Sequence, residues 1–228
     1  MTLDEVSRPR PVLDRDRERR LTERQRQLLD ALSVMFDDGF AELTMAAIAA
    51  RLNCSLRTLY ALAPSRDELV MVVVDRTLWR IGRGAQEAIA PDMAPLDALR
   101  AYLRAASFAV GRTTQAFARD LAAVPAAQRL SDAHEDYLQA MTQRLLDAAV
   151  ERGDFASGDA DVEADAVDTA AVARVLARLG RDFARPDVLP TLRCTPKQAA
   201  DAVVDLVLDG LRSRSGTDRP VAAGNADR

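Results

Sequence analysis

The sequence predicts an all-α protein, and three observations carry that prediction. Alanine, the best intrinsic helix former, occurs 42 times in 228 residues. Aromatic residues make up only 4%, whereas strands favour aromatic and β-branched side chains. Between the two ends of the chain, apolar residues recur at the three- and four-residue spacing of a single helical face. A hydrophobic content of 48% in a chain of this length supports one or two domains with a real core.

Taken in order, residues 1–20 mix Arg, Asp, Glu and Pro without an apolar period and are expected to form a disordered arm. Leu28, Leu32, Met35 and Phe36 then make one stripe after Thr22 and Glu23, and Asp38-Gly39 ends that helix. Thr44 caps a short helix with Met45, Ile48, Ala49 and Leu52 facing inward, and Asn53 stops it because asparagine tolerates the left-handed conformation. Ser55 caps a second short helix carrying Leu56, Leu59 and Tyr60, which ends before Pro64. Ser65 and Glu68 make a capping box for a long helix reaching about Ala90 through Leu69, Val72, Val73, Arg76 and Trp79. Gly82 and Gly84 mark a weak point within it, or an early end. Pro91 and Pro95 precede a helix near 95–111, and further helices are expected near 113–123, 131–152, 161–184 and 196–212, about nine in all. Residues 213–228 are small and polar and are expected to be a tail. The expected organisation is a three-helix unit at 21–75 and a larger helical domain at 76–212.

Charge narrows the function classes. The formal charge is −4, with a pI near 5.2, which excludes a wholly basic nucleic-acid binder but leaves room for a local basic face. Of the 31 basic residues, Lys197 is the single lysine. The 24 residues between Glu42 and Asp67 contain Arg51, Arg57 and Arg66 and no acid, a composition suited to phosphate contact. Arg8 to Arg26 carries eight arginines against four acids. That segment reads either as a solvated tail or as an arm adding salt-sensitive DNA contacts. Cys54 and Cys194 lie far apart and are expected to be reduced; with one histidine, His134, they assemble no zinc site, so no metal and no cofactor are expected. Enzyme motifs are missing: there is no Gly-rich phosphate loop and no Gly-x-Ser-x-Gly elbow, and the Asp154 to Asp168 run lacks the Gly and Glu of a calcium loop. The apolar run from Leu69 to Val74 is far shorter than the roughly 20 residues a bilayer requires. No membrane contact is expected, and a cytoplasmic location follows from the lack of an apolar leader in residues 1–20.

The stretch Thr44 to Tyr60 carries the chemistry. Two short helices joined by three residues, with small Ala49 at the crossover and Asn53 at the tight turn, meet the demands of a helix-turn-helix. Ile48, Leu52, Cys54 and Leu59 are expected to fill the interface between them.

On these residues the chain resembles the TetR family of bacterial transcriptional regulators. The resemblance rests on Phe36-Asp37-Asp38-Gly39-Phe40, Leu43-Thr44-Met45-Ala46-Ala47-Ile48-Ala49, Asn53-Cys54-Ser55-Leu56-Arg57-Thr58-Leu59-Tyr60 and Pro64-Ser65-Arg66-Asp67-Glu68-Leu69. The chain departs from the family where Asn53 replaces the usual Gly, Arg66 the usual Lys, and Ala63 a bulky aromatic. The first two keep the turn and the cation, whereas Ala63 removes packing volume. The resemblance implies a homodimer on double-stranded operator DNA. It assigns Thr44 to a phosphate, Ser55, Arg57, Thr58 and Tyr60 to the groove-facing side of the recognition helix, and Arg66 to a backbone clamp. Within that assignment Arg57 suits a guanine edge and Tyr60 a phosphate or a half-core position, and Leu56 reads as a thymine-methyl contact or a core leucine.

The resemblance further implies that the larger domain senses a small molecule and dimerises, and that the protein is a repressor released by that effector. Expected pocket residues are Trp79, Tyr102, Phe108, Phe117, Tyr137 and Met141, with Arg112 and His134 as polar anchors, which points to a largely apolar effector. Small-residue faces in the last two helices, Ala166, Ala170, Ala173 and Ala177 with Val203, Leu206, Val207 and Gly210, read as a dimer interface or as ordinary internal core. The alternative reading is a DNA-binding regulator with no small-molecule response, controlled by a partner protein.

Overall fold

The computed structural model describes residues 6–107, 114–155, 167–183 and 185–214. These form α1 (Arg15–Arg20), α2 (Glu23–Asp37), α3 (Met45–Arg51), α4 (Leu56–Leu62), α5 (Arg66–Glu87), α6 (Pro95–Ala106), α7 (Gln115–Ala122), α8 (Pro125–Arg152), α9 (Thr169–Phe183) and α10 (Pro196–Arg214). The described residues contain no strand, and no helix among them is long and apolar enough to cross a membrane.

The helix boundaries follow local chemistry. Thr22 and Gln25 form a reciprocal capping box for α2, and the Thr44, Ser55, Ser65 and Thr114 side chains each accept from the backbone N–H three residues on. At Ser65 the hydroxyl makes its half of the expected box alone. Pro95 and Pro125 occupy first-turn positions, where a missing N–H costs nothing. Pro125 starts α8 six residues before the expected 131, while α6 stops at Ala106 rather than 111. Gly153, at φ 78°, ends α8. α5 runs unbroken through Gly82 and Gly84, where an added Cβ would meet open space.

Two hydrophobic clusters organise the molecule. The first gathers Leu28, Leu29, Leu32, Phe36, Ile48, Leu59, Leu62, Leu69 and Val73 from α2 to the first half of α5. The second gathers Leu96, Leu99, Tyr102, Leu103, Met141, Leu145, Leu146, Leu176 and Leu208 from α6, α8, α9 and α10. α5 belongs to both, contributing as far as Val74 to the first and Ala85 to the second. Arg100 pairs with Asp205 and Asp209, and Arg104 with Asp205, joining α6 to α10. Arg178 and Arg181 pair with Glu135 between α9 and α8.

Residues 6–20 do not behave as the expected disordered arm, and residues 1–5 lie outside the described residues. Residues 6–20 are described: Asp14 caps α1, and Leu13 and Leu21 are buried in the first cluster. The Val12 N–H donates to Asp75 Oδ2 at 2.8 Å, and Arg17 donates to the Leu62 carbonyl at the end of α4. Two leucines anchored on either side of a capped charged turn were enough; the charged residues between them carried no periodic signal. The expected tail lies outside the described residues from position 215 onward, as do the expected pocket residues Phe108 and Arg112 and the expected interface residue Ala166.

Candidate nucleic-acid interface

α3 and α4 stand on three local devices. Thr44 Oγ1 accepts from Ala47 N at 3.1 Å at the start of α3. Asn53 adopts φ 48°, the left-handed value that the tight connection demands, and Cys54 N donates back to Ala49 O at 3.0 Å. Ser55 Oγ accepts from Thr58 N at 3.1 Å and shares a hydroxyl contact of 2.8 Å with Thr58 Oγ1. Ile48, Ala49, Leu59 and Leu62 turn into the core, and Leu52 and Cys54 pack against it half-buried.

What remains outward is one face of α4 with the N-terminus of α3. Ser55, Leu56, Arg57 and Tyr60 are exposed, with Leu56 at 43% and Tyr60 at 51%. Both side chains whose placement the sequence left open therefore point to solvent rather than core. Thr44 is exposed at the N-terminus of α3, and Thr58 is half-buried with its hydroxyl on Ser55. This face is polar and cationic with two apolar patches, the composition that base edges and thymine methyls require.

Arg66, expected as a backbone clamp on DNA, is engaged within the protein. Its guanidinium turns inward onto the turn between α2 and α3: Nε donates to Leu43 O at 2.8 Å, and Nη2 to Phe40 O at 2.6 Å and Ala41 O at 2.9 Å. Nη1 pairs with Asp67 at 2.9 Å. A planar fork can hold three carbonyls in this way, where a lysine ammonium would act as a single point. Four of its five N–H donors are engaged within the protein, and the side chain builds the platform.

The same turn is gripped from its other side by a residue the sequence did not single out. Asp120 of α7, 5% exposed, accepts from Phe40 N at 2.5 Å and from Ala41 N at 2.7 Å. Desolvation pushes this carboxyl up, but the two amide hydrogen bonds and the neighbouring Arg119 outweigh it, and the net shift is downward. Thr114 donates to the Asp37 carbonyl at the end of α2. Gly39 sits at φ 96°, and a Cβ there would lie 3.0 Å from Asp120 Oδ2 and 3.2 Å from the Ala116 side chain. Glycine is needed for both reasons.

The expected effector contacts are placed differently. Phe117 belongs to the first cluster, edge-on to Phe40 at 5.9 Å. His134 stands 3.3 Å from the buried Asp75 carboxylate and 5.5 Å from the Trp79 ring, tying α8 to α5. Tyr102 and Met141 are packed in the second cluster, and burial, with Tyr137 adding to it, pushes the Tyr102 phenol well up. The Tyr137 hydroxyl accepts from Gln86 at 2.5 Å. An open groove of about 320 Å³ is lined instead by Gln86, Ile89, Ala90, Pro91, Met93, Pro95, Ala98 and Arg152. These aromatic and polar groups close-pack two helix layers, which the sequence pattern alone does not separate from lining a cavity.

The small-residue faces also divide. Ala173 and Ala177 are interior, packing α9 within its own chain, so they are core and not interface. Ala170, Val203 and Val207 are half-buried, and Val207 packs on the second cluster. Leu206, at 74%, and Gly210 face outward from α10, and Val175 of α9 is 57% exposed.

The helical order, the paired short helices α3 and α4 and the second hydrophobic cluster together define a helix-turn-helix fold. No family model matches the sequence, and no curated protein matches it. Solved structures do. A TetR-like transcriptional regulator from Rhodococcus sp. RHA1 is 25% identical, aligned over 88% of this chain and 100% of its own with a TM-score of 0.58. A bacterial regulatory protein of the TetR family from Rhodococcus RHA1 is 21% identical over 84% of this chain and 98% of its own, TM-score 0.60. A ketosteroid transcriptional regulator of Mycobacterium tuberculosis is 21% identical over 84% and 96%, TM-score 0.53. The fold of this chain is that of the TetR family of transcriptional regulators.

Arg66→Ala is expected to lower the stability of the folded chain by about 2 kcal/mol in urea titration, because the Phe40 and Leu43 carbonyls lose a charged donor. Arg66→Lys should recover little of it. Unchanged stability in both would return Arg66 to the role of a free surface cation.

Proposed function

We propose that the chain is a sequence-specific DNA-binding transcriptional regulator that reads a palindromic operator as a homodimer. The observation that carries this reading is the exposed face of α4, where Arg57, Leu56 and Tyr60 stand outward in a 24-residue stretch without an acid. α4 enters the major groove, Arg57 takes a guanine edge, Tyr60 a phosphate, and Thr44 a phosphate at the N-terminus of α3. Ser55 and Thr58 pin the first turn of α4, and Leu56 meets a thymine methyl. The protein acts on DNA by binding alone, as a repressor, and carries out no reaction.

A dimer presents two such helices at the roughly 34 Å spacing of successive major grooves. Its contact is the outward stripe of α9 and α10, Val175, Leu206 and Gly210 with Val203 and Val207 at its edge; contiguous exposed apolar groups mark protein contacts where single ones do not. A small, largely apolar effector releases the DNA. The alternative, control by a partner protein, draws support from the close packing of Tyr102 and Met141 where an effector was expected. Thermal-shift screening against apolar compounds separates the two, since only a sensor gains stability.

Arg57→Ala should weaken binding to a duplex selected in vitro by about 1–3 kcal/mol and relax its base preference, as read by gel-shift titration. Equal affinity and equal preference would remove Arg57 from the groove. Leu206→Asp should convert the dimer to monomer at micromolar concentration in sedimentation equilibrium; a dimer that persists places the contact elsewhere.

A further inference from the structure

Resting on the DNA-binding reading above, we infer that Asp120 is a positioning residue for that binding: from α7 it fixes the turn that sets α3 and α4, without touching DNA. The peptides of Phe40 and Ala41 are held by both poles. Their N–H groups go to Asp120 and their carbonyls to Arg66. Arg66 belongs to α5, which the first cluster already shares, whereas Asp120 arrives from α7, 80 residues from Phe40 in sequence.

Three further contacts make α7 and the turn one body. Thr114, which caps α7, donates to the last carbonyl of α2. Gly39 lies flush against Ala116 and Asp120 with no room for a methyl group. Phe40, 1% exposed, is seated between Phe36 at 5.2 Å and Phe117 at 5.9 Å. Leu43, whose carbonyl also rests on Arg66, immediately precedes Thr44, the cap of α3. A displacement of α7 is therefore delivered three residues from the first phosphate-binding hydroxyl, through charge-assisted hydrogen bonds that are short and directional. The α5 glycines carry no comparable contact.

The test uses the full chain with Asp120→Ala and the isosteric Asp120→Asn, which keeps one acceptor and removes the charge. Affinity is measured for a duplex selected in vitro by the wild type and for a random duplex, and backbone amide exchange is followed at residues 40–52. Expected for Asp120→Ala are an affinity loss of about tenfold on the selected duplex, random-duplex affinity within about twofold of wild type, and faster exchange at 40–52. Asp120→Asn should fall between, and it serves if the alanine variant fails to fold. Folded variants with wild-type affinity for the selected duplex and wild-type exchange at 44–52 overturn the inference. If the wild type selects no sequence, the DNA-binding reading fails separately, and exchange at 44–52 in Asp120→Asn still decides whether α7 sets α3.

Discussion

A turn that buries its central residue, Phe40, takes the peptide groups of that residue out of water, and they must find partners inside the protein. The turn from Asp38 to Leu43 solves this with two charged side chains on opposite sides. Arg66 supplies donors to the carbonyls of Phe40, Ala41 and Leu43, and Asp120 supplies the acceptor for the amides of Phe40 and Ala41. α3 and α4 are built outward from that point, because Thr44 caps α3 directly after it and α4 follows after four residues. Leaving one pole of such a peptide unpaired costs more than the pair contributes, so the two charges hold the turn jointly.

The second constraint is that one helix serves two cores. α5 gives Leu69, Val70, Val72, Val73 and Val74 to the first cluster and Ala85 to the second. Where it passes from one to the other, the buried Asp75 accepts from Val12 N and stands against His134 of α8. The N-terminal stretch, α5 and α8 thus meet on a single carboxylate, while α7 meets the first cluster through Phe117 and Leu121. The two clusters share polar anchors as well as apolar contact, and the outward face of α4 is left free of both.

What could be read from the sequence was local. Caps at Thr44, Ser55 and Ser65 and the left-handed turn at Asn53 depend on partners three to five residues away, and each stands in the structure as the residues foretold. On α4 the same short range placed Ser55 and Arg57 outward and left Leu56 and Tyr60 open between solvent and core. What could not be read depended on distance: Arg66 finds its carbonyls 23 to 26 residues upstream, and Asp120 its amides 79 and 80 residues upstream. A cation beside a helix-turn-helix carries the same sequence signature whether it faces a phosphate or a carbonyl. Ala173 and Ala177 were ambiguous for a related reason, since a small residue allows close approach to any helix, and α8 of the same chain supplies it. In the N-terminal stretch Leu13 and Leu21 lie too far apart to register as a helical period, yet each has a place in the core.

The claim that the turn is one unit held from both sides is tested most directly by a double-mutant cycle between Arg66 and Asp120, both changed to alanine, with stability read by urea unfolding. The account predicts that the double variant loses less than the sum of the single losses, by about 0.5 kcal/mol or more. Losses that add to within about 0.3 kcal/mol would show two independent contacts and contradict it.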